Sequence, residues 1–125
     1  VSCSRAFELL RDLDPGRIGA IYDIPNMTRV GIEDPSYGMQ VLGPYLAHSH
    51  IGGSRPVLLS EEGPVQKWGW EMCDVRRAAA DIPDIIRCFK KQAYQGCLSL
   101  EGFGPGDDLA KIRGQGSYLR GLIAS

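Results

Sequence analysis

No apolar run in these 125 residues approaches the roughly 20 needed to cross a bilayer as a helix, which sets aside a transmembrane segment. An excess of charge is lacking too. Fourteen basic residues stand against fifteen acidic ones for a formal net charge of −1, so no general field would draw in DNA or an anionic membrane, and neither is expected as a partner. Cys3, Cys73, Cys88 and Cys97 are scattered, with no C-x-x-C pair of the kind that builds a structural zinc site. A chain of this size needs no disulfide staples, so the thiols are expected to be reduced and the protein cytoplasmic. Cys88 and Cys97 read as packing residues, since neither has a sequence neighbour that would activate its thiol. Low complexity and close internal repeats are also missing. The first residue is Val1 rather than Met, and an upstream leader or preceding region is expected to be absent from this sequence.

What is present is the composition of an ordinary globule. Hydrophobic residues make up 43% and charged residues 23%, enough for one domain with a core. Ala6, Phe7, Leu10 and Leu13 share a face and predict a first helix over residues 4–13, capped by Ser2 or Ser4 and stopped by Asp14-Pro15-Gly16. A loop is expected through Pro25 and Gly31. Asp34-Pro35 then opens a short helix to Leu42. Residues 51–80 read as a long glycine-marked loop carrying Trp68 and Trp70, and a loop of that length usually has a job. Asp81 caps a helix with Ile82, Ile85, Ile86 and Phe89 inward and Gly96 at its end. Asp107 and Asp108 start the last helix, with Leu109, Ile112, Leu119 and Ile123 expected inward.

Between these helices lie three apolar stretches, and each ends on a side chain able to bind a metal: 18–23 on Asp23, 45–50 on His50, 97–101 on Glu101. They read as buried strands. Strands alternating with helices make a parallel α/β sheet, and working groups in such sheets gather at the carboxyl ends of the strands. The alternation of side chains puts Cys97, Ser99 and Glu101 on one face and Leu98 and Leu100 on the other, with Asp23 opposed to Tyr22 and His48 on the side of His50. One face then suits a helix layer and the other a partly polar barrel interior. Three strands cannot close a barrel of eight. The fold class expected is therefore α/β, a partial TIM (β/α)8 barrel of about three parallel strands alternating with four helices. Residues 1–125 would be its carboxyl-terminal part. Unpaired strand edges would favour self-association or a complementing chain.

Carboxylates and imidazole suit a hard or borderline divalent ion, and the carbonyl of a hydroxy-ketone polarised there would ease loss of the neighbouring proton through an enediolate. Glu101 is the candidate to move that proton. Arg55 is the candidate for a substrate hydroxyl or phosphate. Simpler roles compete with these. Asp23 could cap the turn at Pro25, His48 could be a hydrogen-bonded barrel residue, Arg55 a solvated charge, and Trp68 and Trp70 lids or interface anchors rather than sugar-stacking platforms.

Ile21-Tyr-Asp-Ile-Pro-Asn-Met27, Leu42-Gly-Pro-Tyr-Leu-Ala-His-Ser-His50 and Tyr94-Gln-Gly-Cys-Leu-Ser-Leu-Glu-Gly-Phe103 together resemble the sugar phosphate isomerase/epimerase family, within the xylose-isomerase-like TIM barrel superfamily. The resemblance covers nearly the whole chain. It implies one divalent cation (Mn, Mg, Co or Zn) held by Asp23, His50 and Glu101, with a fourth ligand, a Glu, on a strand upstream of Val1. It implies a small sugar, sugar phosphate or polyol derivative as substrate, with Asn26, Arg55 and Trp68 as binding candidates. Two positions depart from the family pattern: Gly52-Gly53 stand where a lysine often follows H-x-H, and Asn26 where many epimerases place His. The alternatives are an incomplete, non-catalytic barrel fragment that completes its sheet with another chain, and an apurinic-site nuclease of the same superfamily. The nuclease would call for more histidines and a basic surface.

Overall fold

The computed structural model describes residues 2–31, 33–61, 63–102 and 104–125. Phe103, which closes the third motif, lies outside them. Ser2 accepts a hydrogen bond from the Arg5 backbone N–H and so caps the first helix, α1 (Cys3–Leu10). This helix ends three residues before the predicted boundary, and Leu13 is exposed beyond it. The first strand, β1 (Ala20–Asp23), runs straight into a helix, α2 (Ile24–Val30), where a loop was expected. The cause is local: Asp23 accepts from the Asn26 backbone N–H as an N-cap, and Pro25 stands in the first turn, where its missing N–H costs nothing.

Asp34 caps the next helix, α3 (Pro35–Leu42), as predicted, and Gly43 ends it with a positive φ of 50°. The second strand, β2 (Leu46–Ile51), follows a short 3-10 turn. The segment predicted as a loop then folds instead into an antiparallel hairpin, β3 (Gly53–Ser60) and β4 (Lys67–Cys73). Its alternation was legible: in Lys67-Trp-Gly-Trp-Glu-Met72 polar and apolar residues exchange every second position, and Gly63-Pro64 supply the turn. Asp81 caps α4 (Ile82–Lys91), and Ile82, Ile85, Ile86 and Phe89 are all buried, each contributing about 1.5–3 kcal/mol by its removal from water. This helix stops at Lys91 rather than at Gly96, because Ala93 turns the chain with a φ of 50°. The third parallel strand, β5 (Leu98–Leu100), leads to α5 (Asp108–Ala124), capped by Asp107.

The parallel sheet has the order β1-β2-β5, in register Tyr22 to Ser49 to Leu98 and Asp23 to His50 to Ser99. Tyr22, Ser49 and Ile51 are buried on the helix side, with Leu98 and Leu100 packed against the same core. Ser49 lies there without penalty because its hydroxyl donates to the Tyr22 carbonyl at 2.9 Å. The two faces thus divide as the alternation predicted, and the described residues form five α-helices rather than four.

The last helix turns differently from its prediction. Leu109, Ile112 and Ile123 are 63%, 58% and 49% exposed, and only Leu119 of the four expected residues is buried. The inward line is instead Gln115 and Leu119, flanked by the half-buried Lys111, Tyr118 and Leu122. Polar side chains take it because α5 meets unpaired backbone groups there: Lys111 donates to the carbonyls of the glycine-rich loop after β5, and Gln115 accepts from the Val75 N–H. Cys97 also departs from its expected packing role: it is exposed, standing just before β5. Cys88 is buried as expected. Among the described residues no helix is long and apolar enough to cross a membrane.

Candidate metal centre at the strand ends

Three neighbouring strands end side by side and deliver three side chains to one place. Asp23 closes β1, His50 is paired with it in β2, and Glu101 follows β5 directly. Neighbouring strands lie about 4.8 Å apart, and all three positions have the same parity, so their side chains rise from one face. One ligand atom from each lies within 4.8 Å of the others. His50 Nδ1 is 3.0 Å from Glu101 Oε1 and 3.6 Å from Asp23 Oδ2. About a quarter of each side chain is exposed, so the group is sheltered yet open on one side.

Each ligand candidate is held by its surroundings. Asp23 Oδ1 caps α2 while Oδ2 accepts from Asn26 Nδ2 at 2.8 Å, so the simple role as a cap and a place in the cluster belong to the same carboxylate. Asn26 therefore orients Asp23. Glu101 is anchored through its backbone, whose N–H donates to the Ile51 carbonyl at 2.8 Å. His48 stays out of the cluster: its Nε2 is 2.8 Å from Ser99 Oγ, and its ring meets that of His50 edge-on at 5.3 Å. The hydrogen-bonded role weighed for His48 is the one it takes.

The two other candidate substrate contacts stand on the hairpin. Arg55 pairs across it with Glu71, Nε to Oε1 at 2.6 Å, near the base. Trp68 lies opposite Leu58, five residues along from Gly53 and so about 17 Å farther out at the usual strand rise. Arg55 is thus ion-paired within the hairpin, to Glu71.

Two residues not anticipated from sequence shape the ground beside Glu101. Lys111 Nζ donates to the carbonyl of Gly102 at 3.0 Å and also to that of Gly104. Gln115, 2% exposed, accepts from the Val75 backbone N–H at 2.9 Å. Together they pin the glycine-rich loop after β5 and the turn before α4 to α5. Their spacing of four on one helix was the available signal, and it was masked by the apolar residues nearby. With Glu101, Gly102 and Ile112 they line an open depression of about 500 Å³. A neighbouring one of about 340 Å³ runs from Lys111 and Gln115 to Arg55, Arg77 and Cys73. Burial pushes the Cys73 thiol up from its ordinary value.

The donor set fits a divalent cation: two carboxylates and one imidazole, preassembled at a sheltered but open edge. Fold and site together define a parallel α/β segment of a TIM barrel with its candidate centre at the carboxyl ends of the strands. Comparison bears out the fold. The chain is similar to the crystal structure of D-psicose 3-epimerase in the presence of D-fructose, with a TM-score of 0.67 and 16% sequence identity, over 99% of this chain and 44% of that one. At that identity the likeness is one of fold, and the chain spans less than half the length of that protein. No family model matches the chain. No curated protein matches it either.

Proposed function

We propose that this chain supplies the carboxyl-terminal part of a divalent-metal-dependent isomerase or epimerase that acts on a sugar, sugar phosphate or polyol derivative. The observation that carries the reading is the convergence of Asp23, His50 and Glu101 at adjacent strand ends. A divalent ion bound there would supply polarisation of a substrate carbonyl. The side chains do the rest. Asp23, fixed by Asn26, and His50, backed by the His48 ring, present an anionic oxygen and a ring nitrogen to the same point. Glu101 has two roles, as a ligand and as the base that accepts the proton from the carbon next to the carbonyl. An enediolate results, and return of a proton to the neighbouring carbon isomerises it. Return to the opposite face of the same carbon epimerises it, and this needs a second acid, assigned to a Glu on a preceding strand of the complete barrel. The four free thiols agree with a reducing compartment such as the cytoplasm.

The test uses a protein in which the preceding barrel strands are present. Glu101→Gln should abolish solvent-deuterium exchange into a ketose, read by NMR, with the fold intact, because the amide is neither an anionic ligand nor a proton acceptor. Asp23→Asn and His50→Ala should weaken metal binding first, with exchange partly recovered at high metal concentration. Unchanged exchange in Glu101→Gln would remove that residue from the chemistry and leave a likeness of fold alone.

A further inference from the structure

The hairpin has an asymmetry that the centre at the strand ends does not use. Among the described residues its sheet has two strands, so β3 and β4 each have a free side. On β3 that edge is spoiled for pairing: Pro56 carries no N–H, and the register slips at Leu59, opposite the step from Trp68 to Lys67. Proline and bulges are the devices by which sheets blunt an edge. β4 has neither. Its residues run in regular alternation, and on its outer half Trp68 is 59% and Trp70 42% exposed.

β4 is also complementary to itself. Two antiparallel copies related by a two-fold axis at Gly69 would set Lys67 opposite Glu71 of the second copy and Trp68 opposite Trp70, each pairing occurring twice. Opposite charges and aromatic pairs at directly facing positions are the ones that stabilise antiparallel ladders. Pro56 and Leu58, opposite Trp70 and Trp68 in the hairpin, extend the same apolar face. We infer that the outer edge of β4 is a self-association surface, occupied by β4 of a second copy to give a four-stranded antiparallel sheet. The two partly exposed tryptophans with Leu58 offer an apolar area of about 300 Å² per copy, small for a stable interface, so the association is weak and concentration-dependent. This inference is independent of the reading of Asp23, His50 and Glu101.

The chain's two tryptophans both lie on this strand, so intrinsic fluorescence reports on it directly. Sedimentation equilibrium of the 125-residue chain should show a monomer–dimer equilibrium, with tryptophan emission moving to the blue as dimer forms. Lys67→Glu, at an exposed position, should weaken dimerisation about tenfold, since like charges then face each other twice. The triple variant Arg55→Glu/Lys67→Glu/Glu71→Lys, which keeps opposite charges at the paired positions 55 and 71, should restore it. A chain that stays monomeric up to about 1 mM overturns the inference. So does a dimer indifferent to Lys67→Glu, which would lie on the β1 or β5 edge instead. A monomer whose emission shifts only on addition of a hexose would also overturn it and reassign the tryptophans to ligand.

Discussion

Gly52→Ala should damage the fold and the candidate centre together. An added Cβ would lie 2.6 Å from the Glu101 carbonyl oxygen, 3.1 Å from Pro25 Cγ and 3.5 Å from Met72 Cε. A carbon normally keeps about 3.3–3.6 Å from such an oxygen, so the strands must part by roughly 0.7 Å. Yet Glu101 is tied to the adjacent residue by its hydrogen bond to the Ile51 carbonyl. Losing that bond costs about 1 kcal/mol, and overpacking a dense region costs about 1–3 kcal/mol more. The sum, about 2–4 kcal/mol, corresponds to a fall in Tm of roughly 8–15 °C for a chain of this length. Thermal and urea melts followed by far-UV circular dichroism measure the stability. Titration calorimetry with Mn²⁺ or Co²⁺ should show at least a roughly tenfold weaker affinity, because Glu101 moves away from His50. Gly121→Ala is the control. It sits within α5 with nothing near its Cβ position, and should stabilise by about 0.5–1 kcal/mol. If Gly52→Ala melts within about 2 °C of the parent and binds metal equally well, close strand approach does not build this site.

Burial would raise the Glu33 carboxyl, but hydrogen bonds from Ser4, Cys3 and Ser2 at the start of α1 outweigh it and hold it below its ordinary value of 4.5. Its contribution to stability is therefore full above that pH and lost as pH falls through the lowered folded value. Glu33→Gln should lower the urea midpoint at pH 7 and by progressively less as pH falls through the lowered folded value, and a loss independent of pH would refute the assignment. Burial, reinforced by Glu33, pushes the Cys3 thiol up to about 11, while Cys97 is exposed. A thiol reagent at pH 8 should label Cys97 at once and Cys3 only on unfolding, as mass spectrometry of the labelled peptides would show.

Local physics alone determined much of this molecule. Asp34-Pro35 and Asp81 open helices here because capping involves a side chain and the backbone two or three residues away. The apolar stripe of α4 and the parity that puts Asp23, His50 and Glu101 on one face are equally local, the first a period of 3.6 and the second of 2. The hairpin and α2 were also written locally, in the alternation of 67–72 and in the Asp23 cap, but a turn reading of proline and glycine concealed both.

Only the tertiary structure decided the rest. Residues 23, 50 and 101 meet because β2 lies between β1 and β5, and strand order is a contact between distant segments that no local pattern encodes. The same holds for α5. Its sequence offers Leu109 and Ile112 to a core, but the segments beside it leave the Gly102 and Gly104 carbonyls and the Val75 N–H to be satisfied, and Lys111 and Gln115 supply their partners. Lys111 and Gln115 therefore face inward, and the apolar residues face out.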